Sequence, residues 1–328
     1  LFSNPPKLNI IALQDSQPER LDAFSQDLAN TSLEKSDLKE LLELFEHAST
    51  FGSLIQIPQT FAKKLADLET KLNTALASGD IFAQQSAQEL LPLVQQAKLL
   101  AKQYDAVIAN PPYMGNKYLN PNLKNYLKKN YQGYEKDLFS AFMIRDLQLT
   151  KESGQLGFMS PFVWMFISSY ENLRAHFIDQ ATITSLIQLE YSGFDGATVP
   201  ICTFTLAKSH VSNFMGSYIR LSDFRGSENQ APKTLEAINN PDCGWFFNAK
   251  PDDFKKIPGS PIAYWMPENL KNIFKVSEKL GDIAPVKKGL VTSDNNRFLR
   301  TWYEVNIGKT NFTCDSRKTS YTCGAKWF

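Results

Sequence analysis

The spacing of hydrophobic positions changes several times along the chain, and each change predicts an element. Residues 8–13, LNIIAL, are a short apolar run that predicts a buried strand. From residue 18 to 102 the apolar residues recur at intervals of three and four. Leu21, Phe24 and Leu28, then Leu38, Leu41, Leu42 and Phe45, then Phe61, Leu65, Leu68 and Leu72 each fall on one helical face. FGSLIQIP at 51–58 and Ser78-Gly79-Asp80 interrupt these helices, and a last one carries Leu90, Leu91, Val94 and Leu99. Val107 and Ile108 sit in a second short apolar run that stops at a polar residue and two prolines, as a buried parallel strand ends in a loop.

Asp137 is placed to cap a helix reaching about residue 150, and a strand follows at 156–159. Ser168 and Glu171 are spaced as a capping box for a helix to about 179, and residues 183–189 and 199–206 read as two more strands. Strand, helix, strand, helix, strand, strand is the order of the second half of a doubly wound α/β sheet closed by an antiparallel hairpin. On this reading residues 1–17 supply a sheet strand, 18–102 form a helical insertion, 103–210 carry the candidate site, and 211–328 form a connector and the start of a further α+β domain.

The candidate chemistry lies where the strand through Val107 and Ile108 ends, because ligands of open α/β sheets bind outside the carboxyl ends of the strands. The sequence there is Asn110-Pro111-Pro112-Tyr113. The Asn110 side-chain carbonyl and the Pro111 main-chain carbonyl are acceptors, and the prolines stiffen the loop without adding donors. Two acceptors take the two protons of an exocyclic NH₂ and draw its nitrogen toward sp³, which frees a lone pair for attack. Tyr113 offers a face on which an unstacked base can rest. The alternative is a stiff turn with no chemistry.

After this loop Lys117, Lys124, Lys128, Lys129 and Lys136 are interleaved with Tyr118, Tyr126, Tyr131 and Tyr134 and opposed by Glu135, a local charge of +4. That composition suits a DNA-facing lid, and equally a solvated amphipathic helix, since Leu123 and Leu127 share a face. Over the whole chain of 328 residues the net charge is +1, so attraction to nucleic acid has to be local. No apolar run is long enough to span a membrane and no secretory pattern opens the chain, which leads us to expect a cytoplasmic protein with reduced thiols. Four cysteines and three histidines without CxxC or HExxH spacing predict no metal site.

NPPY with its preceding strand resembles the motif of amino-group methyltransferases that use S-adenosyl-L-methionine, both the DNA adenine-N6 and the protein glutamine-N5 enzymes. Taken together, NPPYMG, the helical insertion, FGSLIQIP, KDLFSAF and GLVTSDNNRFLRTWYEV make nearly the whole chain similar to the PglX-type adenine-specific methyltransferases of BREX phage-defence systems. It is also similar to fused restriction-modification enzymes. The resemblance implies a class I methyltransferase sheet followed by a target-recognition domain. Asn110 and Pro111 would then accept from adenine N6, with Pro112 holding the loop and Tyr113 and Phe194 against the base. Phe194 is assigned from the family's base-contacting hairpin phenylalanine.

Asp15 is an ordinary turn residue or, by the resemblance, a contact to the cofactor adenine. Arg297, in the segment like the family's entry into target recognition, is a candidate DNA contact or a solvated surface residue. Ser293 stands where that family commonly has glycine. No GxG occurs, so the glycine-rich cofactor motif is expected upstream of Leu1 and most of the target-recognition domain beyond Phe328. The expected partners are double-stranded DNA and other phage-defence proteins. The reading from a different class is a non-catalytic DNA- or partner-binding module.

Overall fold

The computed structural model describes residues 8–191, 193, 199–278, 280–285 and 304. The chain divides into two units, Leu1–Lys275 and Val276–Phe328. In the second unit the described residues include a short helix, α12, whose bounds are given below.

Six helices open the first unit: α1 (Leu21–Asp27), α2 (Lys35–Phe45), α3 (Ala48–Phe51), α4 (Gln59–Ala62), α5 (Leu65–Leu76) and α6 (Ile81–Ala101). The predicted apolar faces meet in a core of their own. Leu38, Leu41, Leu42 and Phe45 pack with Phe61, Leu65, Leu68 and Leu72 against Leu90 and Val94. Asp80 caps α6 by accepting from the Phe82 and Ala83 amides, so the predicted turn also starts a helix.

Residues 8–13 do not form the expected strand. Their backbone joins no sheet, and Leu8 and Ile10 are exposed. The buried Gln96 side chain takes the ladder's place just beyond, donating to the Gln14 carbonyl and accepting from the Gln14 amide, both at 3.0 Å. A side chain of α6 thus satisfies the main chain immediately after the predicted strand.

The remaining elements are β1 (Tyr104–Ala109), α7 (Pro121–Asn130), α8 (Leu138–Leu149), β2 (Thr150–Pro161), α9 (Glu171–Gln180), β3 (Thr182–Gln188), β4 (Ile201–Ala207), β5 (Gly216–Arg220), α10 (Ser227–Asn239), β6 (Phe246–Ala249), α11 (Glu268–Val276) and α12 (Leu280–Ile283). The sheet order is β1-β2-β4-β3-β5-β6. β1 runs parallel to β2 and β3 parallel to β5, while β4 is antiparallel to both β2 and β3. The carboxyl ends of β1, β2, β3 and β5 therefore share one edge. The expected hairpin is present, with β4 inserted between β2 and β3.

Three further expectations need correction. The sheet does not finish at the hairpin: β5 and β6 extend it, so residues 216–249 are sheet and its helical cover rather than a connector. β1 is also not buried on both faces. It is the edge strand, and Ile108 is 86% exposed while Val107 and Ala109 pack inward. One face of the sheet is covered by α8 and α9 around Phe158, Trp164, Phe177 and Phe204. On the other, α10 covers the β5 end through Ile219, Leu221 and Ala237. The predicted capping box at Ser168 does not form either, because residues 168–170 make a 3₁₀ turn that leads directly into α9.

Gly154 is needed where β2 bulges against β1. A Cβ there would lie 2.9 Å from the Asp105 carbonyl and 2.7 Å from Thr150 Cγ2, closer than any side chain tolerates.

Asp146 of α8 is 4% exposed, and its Oδ2 has no hydrogen-bond partner among the described residues. Burial pushes this carboxyl up to about 7, with the neighbouring Arg145 charge opposing. Unfolded, it titrates near 3.8, so between about pH 4 and 7 the folded chain binds the extra proton. Its contribution falls as pH rises through that window and is least favourable above 7. Asp146→Asn is expected to raise stability at pH 8 by about 2–4 kcal/mol and to change little near pH 4. Urea melts at the two pH values check this; an equal shift at both would contradict it.

Candidate active site

β1 delivers Asn110 to the carboxyl edge of the sheet as an exposed residue, with Pro111 buried behind it, Pro112 exposed and Tyr113 half-buried. Register fixes the level: Ala109 pairs with Phe158, so Asn110 stands where β2 approaches its own end. The Tyr113 hydroxyl donates to Asn110 Oδ1 at 2.9 Å. This bond orients the amide and uses one of the two lone pairs on the oxygen, leaving the other free. The Tyr113 ring meets Phe139 edge-on at 6.5 Å, and Phe139 in turn packs on Tyr170. Burial raises the Tyr113 phenol above its ordinary value, so it remains a donor at neutral pH.

Asp137 ties this loop to α8. Its Oδ1 accepts from the Met114 amide at 3.0 Å and from the Phe139 amide at 3.3 Å, while the Leu138 amide donates to the Met114 carbonyl. Sequence spacing identifies the helix cap but not the second bond, because the loop and α8 meet only after α7 has folded back. Desolvation raises the Asp137 carboxyl despite these amides, and burial together with Asp137 pushes Tyr170 up to about 12.

The lysine- and tyrosine-rich stretch divides its labour. Leu123 and Leu127 bury one face of α7, and Lys128 and Lys129 are exposed on the other, with Lys124 half-buried. Lys117, also exposed, lies over the Tyr118 ring. Among the described residues none of these four lysines forms an ion pair. The tyrosines are not free for bases as a lid requires: Tyr126 stacks on Phe51 at 4.2 Å, and both Tyr126 and Tyr131 donate to the Leu54 carbonyl. Tyr118 alone of the four is largely exposed.

Asp15 stands apart from this loop, within the helical block. Its carboxylate accepts from the Ser49 amide at 2.7 Å and the Ser49 hydroxyl at 2.8 Å, and the amide bond leads the effects that lower its pKa. Phe194 and Arg297 lie outside the described residues. Among the described residues no group of three or more His, Cys, Asp and Glu side chains is arranged to hold a metal ion.

The family described as the Eco57I restriction-modification methylase matches residues 11–194, which include the helical block, the 110–113 loop and the strands through β3. The chain belongs to this family. The chain is similar to the adenine-specific methyltransferase BrxX of Escherichia coli O9:H4 (strain HS), at 37% identity over 326 residues, covering 92% of this chain and 26% of that protein. It is similar also to the adenine-specific methyltransferase PglX of Lacticaseibacillus casei (strain Zhang), at 31% identity over 93% of this chain and 26% of that protein. A solved nuclease-deletion mutant of the Type ISP restriction-modification enzyme LlaGI, in complex with a DNA substrate mimic, aligns at a TM-score of 0.41 and 16% identity. That alignment covers 60% of this chain and 18% of that one. The chain thus spans about a quarter of the length of these curated relatives.

Proposed function

We propose that the protein containing this chain methylates the N6 amino group of adenine in duplex DNA, with S-adenosyl-L-methionine as donor, in phage defence or restriction-modification. The observation that carries this reading is the Asn110 amide, exposed at the carboxyl edge of the sheet and oriented by Tyr113 so that one acceptor site stays open. Asn110 Oδ1 and the Pro111 carbonyl accept the two N6 protons. The base rests against Tyr113, with Phe194 as its other neighbour. Lys117, Lys124, Lys128 and Lys129 neutralise phosphates, and Arg297 contacts DNA in the segment similar to target-recognition domains. The cytoplasm and other phage-defence proteins complete the reading as location and partners.

Asp15 is not assigned to the donor. Small-molecule sites are commonly about 300–1,000 Å³, whereas the cleft beside Asp15 has a volume of about 170 Å³ and the Asp15 carboxylate is committed to Ser49. The part in the reaction assigned to this chain is to hold and orient the amino group.

The test is to incubate the full-length protein with methyl-labelled donor and either duplex DNA or protein extract. Label recovered as N6-methyladenine supports the reading. Label found only as N5-methylglutamine would replace it with the protein-modifying activity that shares this loop, and DNA binding without transfer would leave a non-catalytic module.

A further inference from the structure

Among the arginines buried or half-buried in the first unit, Arg145 and Arg174 are held by main-chain carbonyls. Arg145 donates to the Ser53 and Leu100 carbonyls. Arg174 makes four hydrogen bonds, two to the Gly259 carbonyl and one each to those of Trp164 and Ile167. Arg220 differs. Among the described residues its Nε is buried with no acceptor and its guanidinium forms no ion pair. What holds it is the Trp265 ring, 4.8 Å from Cζ to centroid. Trp265 is itself fixed edge-on by Phe166 at 5.5 Å and Tyr264 at 4.9 Å. A flat cation held on an indole, half-buried and with no acceptor among the described residues, has its two Nη groups to offer to an anion that accepts in one plane.

Its place in the sheet says which anion. Arg220 is the last residue of β5 and pairs with Gln188, the last of β3. Gln188 in turn pairs with Cys202 of β4, and Cys202 with Ser160 of β2. That row runs along the edge that carries Asn110. Four strand spacings of about 4.8 Å put Arg220 about 19 Å from Asn110, or roughly six base-pair rises of 3.4 Å. Tyr218, two residues earlier on the same face, is buried against Tyr264, and Ile219 turns to the opposite face. The Arg220 side chain therefore belongs to the α8–α9 side, as does the Tyr113 ring.

Resting on the proposed function, we infer that Arg220, seated on Trp265, grips a backbone phosphate of the DNA strand whose adenine enters the 110–113 loop. Phosphate supplies the planar pair of acceptor oxygens that the guanidinium lacks, and Trp265 limits where the guanidinium can swing. The contact positions the strand and reads no base.

The test uses the full-length protein, an adenine-containing duplex that it binds, and affinity measured from low to physiological salt. One phosphate contact contributes about 0.9 to the slope of log affinity against log salt. Arg220→Gln is expected to weaken binding about tenfold at low salt and to flatten that slope by about one. Arg220→Lys should retain the slope with reduced affinity, since the charge remains and the fork does not. Replacing single phosphates by neutral methylphosphonates, within about six nucleotides of the adenine, should weaken the parent protein at one position and leave Arg220→Gln indifferent there. Weaker binding with an unchanged slope, or equal sensitivity of both proteins at every position, would make Arg220 a structural residue and overturn the inference. These readouts need no methyl transfer. A protein that binds through Arg220 but modifies no adenine keeps the phosphate contact and overturns the catalytic reading alone.

Discussion

Asn110→Ala, made in the full-length protein, is expected to lower methyl transfer to adenine by at least about 10²–10³-fold while leaving duplex affinity within about twofold. The size follows from what the amide does. Removing it takes away one of two acceptors for the N6 protons and also the group that the Tyr113 hydroxyl is bonded to, so the phenol is left to turn toward solvent. The second acceptor, the Pro111 carbonyl, survives because Pro111 is buried and its backbone is fixed by the ring. One remaining acceptor positions an amino group without drawing on both protons. The loss therefore falls on kcat, with KM for DNA nearly unchanged. Asn110→Asp separates acceptor chemistry from shape: its carboxylate still accepts from Tyr113 and from an amino group, and it should recover part of the activity that alanine loses. Single-turnover labelling with saturating DNA is the measurement. Full activity in the alanine variant would remove the 110–113 loop from the reaction.

Much of this arrangement was legible in the sequence, and the failures have physical causes. The helical stripes of residues 18–101 were readable because each contains its own period and packs into its own core, as Leu41, Phe45 and Leu72 do. The 104–109 strand and the loop after it were readable from the abrupt change at Asn110. Residues 8–13 misled because an apolar run looks alike whether it joins a sheet or runs unpaired over the surface. The deciding partner, Gln96, is 82 residues from Gln14. β5 and β6 were missed because five- and four-residue strands carry too few positions to show a period. In the site, Asn110 and Tyr113 are neighbours in the chain and their bond follows from that spacing. Asp137 and Arg220 reach the same edge through the sheet and through α8, and no local pattern announces either. The tyrosines of α7 mark the opposite error, since composition shows how many aromatic rings there are but not which of them the Leu54 carbonyl has already claimed.

Arg145→Ala is expected to destabilise the first unit by about 3–5 kcal/mol, the largest effect anticipated outside the 110–113 loop. Arg145 is 5% exposed on α8, in the covered layer of the sheet, yet its donors point into the helical block: Nε to the Ser53 carbonyl and Nη2 to the Leu100 carbonyl, each at 2.8 Å. Ser53 lies in the turn that breaks the helices and Leu100 in the last turn of α6, so both carbonyls belong to main chain where regular pairing ends. Tyr126 and Tyr131 add their hydroxyls to the Leu54 carbonyl beside them. One guanidinium thus joins the block of residues 18–101 to the half carrying Asn110. Removing it leaves two buried carbonyls without donors and a cavity the size of the side chain. The helical block keeps its own core, so helix content should persist while the junction opens, and trypsin should cut after Lys102, between α6 and β1, faster than in the parent. Arg145→Lys should recover part of the loss, because an ammonium lacks the fork that reaches both carbonyls at once. Denaturant melts followed by circular dichroism and by limited proteolysis read the two effects separately. An alanine variant within about 1 kcal/mol of the parent and equally resistant to trypsin would show that the block is held by its apolar contacts alone.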